Sequence, residues 1–373
     1  MKIPFGRVEY PQSSKDLALF CLTRNWATQG DLCERLERIW AELFNYNHSK
    51  YVNSGTSALI CAYLSLYPWK NAKRGMEVIT PALSFISSST AITFAGFVPH
   101  WVETKWDLQI DVDQIERAIN KNTIAINPVG LMGNLPELDR IEELATKHNL
   151  AVILDGAESY SAKYKGQFGL EYADFETAST FVAHSFGVLE GGFVSSNLPE
   201  LANFVDSARS HGREPGSKDF KHEIIGGNFK PMDLCAATCL GMIGEFWKII
   251  EHRKSNYYYF RNEYKGLEDV AHFTEESKDV VLAPHAMSIV LKPKYKNKME
   301  DFRKYLGEKG LEVKVNFGAI PDQPCFKWMG QAGKFPTSTY FGKGIHHTLT
   351  QYLTTEEKEY MANVVKTYLG KLL

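Results

Sequence analysis

Short apolar runs and longer amphipathic segments alternate along the first two-thirds of the chain. The predicted helices are 56–66, 111–119 and 137–148, and the predicted strands are 77–80, 123–128 and 151–154. This alternation indicates an α/β fold with a large, mostly parallel sheet covered by helices. Ligands of such sheets bind beyond the carboxyl ends of the strands. Asp155 follows the last of these strands and is therefore a candidate ligand-binding residue.

The pattern changes in the last third of the chain. A helical stretch over 233–253 leads away from the sheet, and from about residue 256 a smaller mixed α/β pattern follows. We therefore predict a large domain over 1–250 and a small C-terminal domain over 251–373. The boundary is expected along a long helix near 245–255 rather than in a flexible linker.

Composition narrows the class of protein. The chain has 373 residues, of which 44% are hydrophobic, so it can bury a large core. Its net charge of −2 gives no basic field for nucleic acid. The longest uncharged run, 78–102, contains two prolines, a glycine and many hydroxyls, which favour a strand, a loop and a buried helix over a membrane span. The N-terminus lacks the apolar stretch of a signal peptide.

The cysteines predict the compartment and bear on metal binding. Six are scattered along the chain: Cys21, Cys33, Cys61, Cys235, Cys239 and Cys325. No pair has CxxC spacing, so we expect reduced, mostly buried thiols in a cytoplasmic protein without a metal site.

Three positions could bind a phosphorylated aromatic cofactor. The segment 55–57 begins a helix, whose free N–H groups suit a phosphate, although a plain helix cap explains the same residues. A carboxylate at Asp155 could bind a cationic or N–H group of a ligand, although many strand-end aspartates are simply solvated. Phe85 could stack on a ring or belong to the core.

Five segments, in this order and spacing, resemble the DegT/DnrJ/EryC1/StrS sugar aminotransferase family over nearly the whole chain. They are WATQG at 26–30, VNSGTSAL at 52–59, EVITPALSF at 77–85, DGAE at 155–158 and GGNFKPMD at 226–233. The resemblance implies the fold type I (aspartate aminotransferase-like) architecture and the cofactor pyridoxal 5′-phosphate (PLP). It further implies a homodimer with shared active sites.

The same resemblance assigns roles to individual residues. The implied cofactor-binding residues are Gly55, Thr56, Ser57, Phe85, Asp155, Glu158, Ser179 and Asn228. The implied substrate-binding residues are Trp26, Thr28, Gln29, His211 and Lys230. Asn228 is expected to reach into the neighbouring subunit's site.

His184 is the most informative departure from the family pattern. It lies six residues before Glu190, where the family carries the lysine that binds PLP covalently. Histidine can move protons but cannot form that bond. We therefore predict non-covalently held PLP, with His184 as the catalytic base; the alternative is a half-buried histidine without a role. Lys163 and Lys165 lie in a predicted exposed turn and are not expected to replace the lysine.

A histidine at this position is typical of the sugar 3-dehydratase branch of the family, which includes GDP-4-keto-6-deoxymannose 3-dehydratase. Glu158, Lys230 and His211 agree with that branch. Three features depart from it: no proline precedes His184, Ser185 follows it, and 312–317 does not match the family's Thr-Arg substrate segment. An iron–sulfur relative shares the histidine, but the cysteines here lack cluster spacing.

The expected reaction uses L-glutamate as the amino donor, which converts PLP to its amino form, PMP. The expected substrate is a 4-keto-6-deoxy nucleotide sugar, from which the C3 hydroxyl is removed and ammonia released. One alternative is an aminotransferase that keeps the nitrogen in an amino sugar. A second alternative is a non-catalytic family member.

Overall fold

The computed structural model describes residues 1–217 and 219–373. Its strands are β1 His48–Val52, β2 Glu77–Pro81, β3 Val98–Val102, β4 Thr123–Ile126, β5 Ala151–Asp155, β6 Lys163–Tyr164, β7 Gln167–Phe168, β8 Phe175–Ser179, β9 Gly192–Ser196, β10 Ala271–Phe273, β11 Val280–Val281, β12 Ala286–Leu291, β13 Lys314–Val315 and β14 Ile345–Thr348.

The helices separate most of these strands. They are α1 Gln12–Thr23, α2 Asp31–Phe44, α3 Gly55–Lys70, α4 Ile86–Phe94, α5 Val112–Ala118, α6 Leu138–His148, α7 Pro199–Arg209, α8 Asp233–Met242, α9 Phe246–Glu263, α10 Met299–Glu308, α11 Pro336–Gly342 and α12 Thr355–Leu369. Within the described residues, none of these helices is long and apolar enough to cross a membrane.

The large sheet has seven strands in the order β1-β9-β8-β5-β4-β2-β3. The five strands from β8 to β3 run parallel; at one edge β9 pairs antiparallel with β8, and β1 pairs antiparallel with β9. Every residue of β4, β5 and β8 is buried, as expected for parallel strands covered on both faces. The predicted α/β fold with a mostly parallel sheet is therefore confirmed.

The uncharged run 78–102 forms the strand β2, the helix α4 and the strand β3, as predicted. The other predicted elements lie within a few residues of those observed. The helical stretch predicted over 233–253 is helical throughout, but it is divided: α8 ends at Met242 and α9 begins at Phe246 after a 3₁₀ turn. Near this break α1 packs closely against α8: a Cβ on Gly241 would lie 2.3 Å from the Ser14 nitrogen.

A second sheet follows α9, with the strand order β10-β12-β14-β13. Its core, built from α9, α10 and α12, also includes Ile3, whose N–H donates to the Gly310 carbonyl at 2.9 Å. The N-terminus thus packs on the C-terminal region, although we assigned it to the large domain. The division at residue 250 stays a prediction, and α9 runs across it.

Candidate active site

A cleft of about 540 Å³ lies beyond the carboxyl ends of β5 and β8. Both sheets contribute to its walls. Among the residues that line it are Phe5, Gly55, Thr56, Phe85, Ser88, Asp155, Glu158, Ser179, Phe181, His184, Glu190, His285, Lys314, Phe317 and His346. The position agrees with the expectation that ligands of parallel sheets bind at the carboxyl ends of the strands.

One end of the cleft is built on the first turn of α3. The Ser54 hydroxyl caps this helix by accepting the Ser57 N–H at 3.1 Å, and it also contacts the Ser57 hydroxyl at 2.9 Å. Ser57 is buried in this capping arrangement and is not among the lining residues. Gly55 faces Ser179 so closely that a Cβ on the glycine would lie 2.8 Å from the serine Cβ. A side chain at position 55 would therefore crowd a helix N-terminus that can bind an anion.

Asp155 is a buried carboxylate in the floor of the cleft. The Ser88 hydroxyl donates to one of its oxygens at 2.7 Å, and the Ala157 N–H donates to the other at 3.3 Å. Burial raises the pKa of Asp155, and these two hydrogen bonds oppose the rise. A protonated ring nitrogen beside it would provide the opposite charge that a buried carboxylate requires.

Phe85 precedes α4 and is half exposed to the cleft. Its ring meets that of Phe317 edge to face, with the ring centroids 5.7 Å apart. It is therefore not part of the packed core and has a free face.

His184 lies in the loop between β8 and β9. Two hydrogen bonds close this loop, from the Thr180 N–H to the Gly191 carbonyl at 3.0 Å and from the Val188 N–H to the Thr180 carbonyl at 2.9 Å. The histidine is half-buried, and its Nδ1 is buried without a hydrogen-bond partner. Burial, together with the Arg253 charge, lowers the pKa of His184 to about 4. The imidazole is therefore neutral near pH 7, as a base must be.

Several lining residues were not predicted from the sequence. His285 and His346 come from the second sheet region, and Phe5 packs its ring against both, at centroid distances of 6.3 and 5.2 Å. Lys314, also from that region, is a lysine at the cleft, and its Nζ lies 2.7 Å from a Glu312 oxygen. No local motif marks these residues, because only the tertiary fold brings them to the cleft.

The two lysines of the predicted exposed turn lie elsewhere. Lys163 belongs to the hairpin β6–β7, where its Nζ lies 4.6 Å from the centre of the Phe168 ring. The Lys165 Nζ pairs with Asp139 at 2.6 Å on the surface. Neither is among the residues that line the cleft.

The remaining predicted residues form a second set, which we call the outer group: Trp26, Thr28, Gln29, His211, Asn228 and Lys230. They do not line the cleft of their own chain. The Trp26 indole N–H donates to the Gln29 carbonyl at 3.1 Å, and the His211 Nε2 lies 3.4 Å from the Lys230 Nζ. Asn228 is exposed and bridges to Ser210.

The groups in the cleft match the parts of PLP. It offers an anion-binding helix start crowded against Ser179, a buried carboxylate at Asp155, an exposed ring face at Phe85 and an unpaired imidazole nitrogen at His184. A phosphate, a ring nitrogen, an aromatic face and a reacting carbon need such groups, respectively. Of the predicted cofactor-binding residues, Ser57 and Asn228 lie outside the cleft.

Comparison with known proteins finds relatives over most of the chain. The chain is 27% identical to GDP-perosamine synthase of Escherichia coli O157:H7, over 98% of both chains. It is 28% identical to GDP-4-keto-6-deoxy-D-mannose 3-dehydratase of Yersinia pseudotuberculosis, over 62% of this chain and 64% of that protein. The structure of the E. coli GDP-4-keto-6-deoxy-D-mannose-3-dehydratase with bound hydrated PLP superposes with a TM-score of 0.88 at 20% identity, covering 98% and 100% of the two chains.

The family model described as the DegT/DnrJ/EryC1/StrS aminotransferase family matches residues 12–366. This match confirms the resemblance that the five sequence segments indicated. The chain belongs to the DegT/DnrJ/EryC1/StrS aminotransferase family.

Proposed function

We propose that this protein is a PLP-dependent nucleotide-sugar 3-dehydratase with His184 as its base. Family membership indicates PLP as the cofactor. The observation that carries the finer proposal is the neutral, unpaired imidazole of His184 at the position where the family's covalent lysine is expected. The E. coli dehydratase of similar fold, which has bound hydrated PLP, and the Yersinia dehydratase relative support it.

The proposed cofactor site uses the residues already described. The start of α3, with Gly55, Thr56 and the Ser179 hydroxyl, holds the phosphate. Asp155 accepts a hydrogen bond from the pyridine nitrogen and keeps it protonated, while Phe85 covers the ring and Glu158 borders it. When bound, PLP supplies an aldehyde that reacts with amines and a ring that accepts electrons. Ser57 contributes indirectly, because it fixes the helix cap.

His184 moves one proton in each half-reaction. In the first, it takes the α-proton of glutamate and delivers it to the cofactor C4′ atom. In the second, it removes a C4′ proton after a 4-keto-6-deoxy nucleotide sugar has bound, and the C3 hydroxyl leaves. Hydrolysis then releases the nitrogen that came from glutamate as ammonia. A histidine cannot recapture the cofactor covalently, which favours hydrolysis over a second transamination.

The outer group belongs to the proposal through a second subunit. We infer a homodimer in which Asn228 and Lys230 border the neighbouring chain's cleft, with Trp26, Thr28, Gln29 and His211 at the substrate edge. The exposure of Asn228 and the absence of these residues from the lining of their own cleft support this arrangement.

The second candidate function is a nucleotide-sugar aminotransferase. The GDP-perosamine synthase relative favours it, because that match extends over 98% of the chain. The two reactions differ in the fate of one nitrogen atom. Incubation with ¹⁵N-glutamate and a 4-keto-6-deoxy nucleotide sugar yields ¹⁵N-ammonia and a 3-deoxy sugar if the protein is a dehydratase. Retention of ¹⁵N in the sugar establishes the aminotransferase instead.

A further inference from the structure

A row of titratable side chains leads from the cleft into its wall. The rings of His184 and His285 have their centroids 5.2 Å apart. His285 is buried immediately before β12, and its Nε2 lies 3.4 Å from the Glu158 Oε1. The row therefore joins three elements of the fold: the loop after β8, the residue before β12, and the segment after β5.

In each of the two imidazoles, one nitrogen lacks a hydrogen-bond partner among the described residues. These nitrogens are the buried Nδ1 atoms of His184 and His285. An unpaired buried polar atom costs about 1–3 kcal/mol, so such atoms are normally paired. Rings 5.2 Å apart can bring facing nitrogens to a hydrogen-bonding distance of about 3 Å. The two Nδ1 atoms would pair if the ring edges that carry them turned towards each other.

Glu158 is held at the end of this row through one of its oxygens. Its Oε2 accepts the Met132 N–H at 2.6 Å, and its Oε1 faces His285. Met132 presents that N–H from a left-handed backbone conformation, with φ at 59°. The carboxyl is thus fixed in an orientation that leaves one oxygen for the histidine.

We propose that His184, His285 and Glu158 form a proton relay, in which His285 conducts the Nδ1 proton of His184 to the Glu158 carboxylate while the Nε2 atom of His184 holds the substrate proton, and returns it when His184 gives that proton to C4′. The proposal rests on the proposed role of His184 as the base. Nε2 of His184 gains a proton while its Nδ1–H passes to Nδ1 of His285. The Nε2–H of His285 then passes to Oε1 of Glu158. Both imidazoles are neutral before and after, and one carboxylate becomes a neutral acid.

The charged groups near these three side chains favour proton transfer from His184 towards Glu158. Arg253, whose guanidinium donates to the His285 carbonyl at 2.5 Å, disfavours an imidazolium on either histidine. His346 also lowers the pKa of His285, and Asp155 raises that of Glu158. Burial, the largest cause in each case, lowers the pKa of His184 to about 4 and raises that of Glu158 to about 8. A proton is therefore held more firmly by Glu158 than by His184.

The pH dependence of the glutamate half-reaction tests the relay. The relay needs an ionised Glu158, so in the unmodified protein the rate of PMP formation should rise with pH through about 8. In His285→Asn, whose amide can donate to Glu158 but cannot exchange a proton, this rise should vanish. The rate should fall by about 10²–10⁴-fold while PLP affinity is kept. His285→Gln replaces this variant if the shorter side chain unfolds the protein.

His346→Asn is the matched control. His346 is another buried histidine of the cleft, but its Nδ1 pairs with Asn316 at 3.0 Å. This variant should keep the rise of the rate through pH 8. A rise that persists unchanged in His285→Asn would overturn the relay, because a merely structural histidine changes the rate without removing a titration.

Infrared spectroscopy provides a second readout that needs neither cofactor nor glutamate. The protonated carboxyl band of Glu158, assigned by its loss in Glu158→Gln, should disappear as pH rises through about 8. In His285→Phe the midpoint should move up by about one pH unit, because the relay requires the His285 Nε2–H to donate to the ionised carboxylate and phenylalanine has no such donor. An unchanged midpoint contradicts the His285–Glu158 contact. Loss of PLP binding with a shifted midpoint overturns only the proposed function.

Discussion

The residues of the cleft are mostly buried or half-buried and are assembled within one chain, whereas the residues of the outer group are largely exposed and do not line that cleft. Asp155 and His184 lie among buried groups drawn from both sheets, and their neighbours fix their ionisation. Trp26 and Asn228 lie on the surface, and the Trp26 indole donates to a carbonyl within its own segment. Residues that one chain assembles are thus pre-organised for chemistry. The exposed outer group is placed as our proposed recognition of substrate across a subunit interface requires.

His184→Asn should have the largest effect, because it removes the base and leaves the rest of the cleft in place. Turnover should fall by about 10²–10⁴-fold with PLP affinity little changed. Steady-state kinetics and a PLP titration measure the two quantities. His252→Asn, on the helix α9, is the control and should keep full turnover. Full turnover in His184→Asn would rule out the histidine as the base.

Asp155→Asn should weaken the binding of PLP, because the amide cannot balance the charge of a protonated ring nitrogen. Truncating one partner of a buried charge pair costs about 2–5 kcal/mol, or roughly 30- to 5,000-fold in Kd. Fluorescence titration with PLP measures it. Asp174→Asn is a matched control, since burial raises the pKa of that aspartate too but it lies away from the cleft. Equal affinity losses in the two variants would remove the special role of Asp155.

Asn228→Ala tests whether the outer group serves the neighbouring chain. Loss of a hydrogen bond to a charged phosphate should cost about 1.5–3 kcal/mol, or roughly 10- to 150-fold in activity. Mixing this variant with His184→Asn should restore about a quarter of normal activity, because half of the reassorted dimers are mixed and each has one intact site. No recovery after proven subunit exchange would mean that Asn228 acts within its own chain.

The stability of the protein in acid should report the buried histidines. Burial lowers the pKa of His346 to about 3, below the unfolded value of about 6.5. Its contribution to stability is therefore complete above pH 6.5 and is lost as pH falls towards 3. At pH 5 the stability already lost amounts to about 2 kcal/mol. Urea unfolding at several pH values should show a shallower acid loss in His346→Asn, and identical slopes would contradict the buried neutral ring.

Sequence alone predicted the parallel sheet from its apolar runs, and much of the cleft from local motifs. It did not predict the 3₁₀ turn between α8 and α9, because all of 233–253 has one continuous helical pattern. It also missed His285 and His346, because no neighbouring residues distinguish a cleft histidine from a core histidine. Ser57 was expected to line the cleft, but it is buried, and its N–H donates to the Ser54 hydroxyl that caps α3.

The central claim is that the cleft binds PLP without a covalent bond and that His184 acts in the lysine's place. Absorbance of the protein with PLP, before and after glutamate, followed by borohydride treatment and peptide mass analysis, tests it most directly. We predict bound PLP that borohydride attaches to no lysine, and a shift towards the PMP band at about 330 nm with glutamate. A reduced adduct on Lys314, or no PLP binding at all, would contradict the claim.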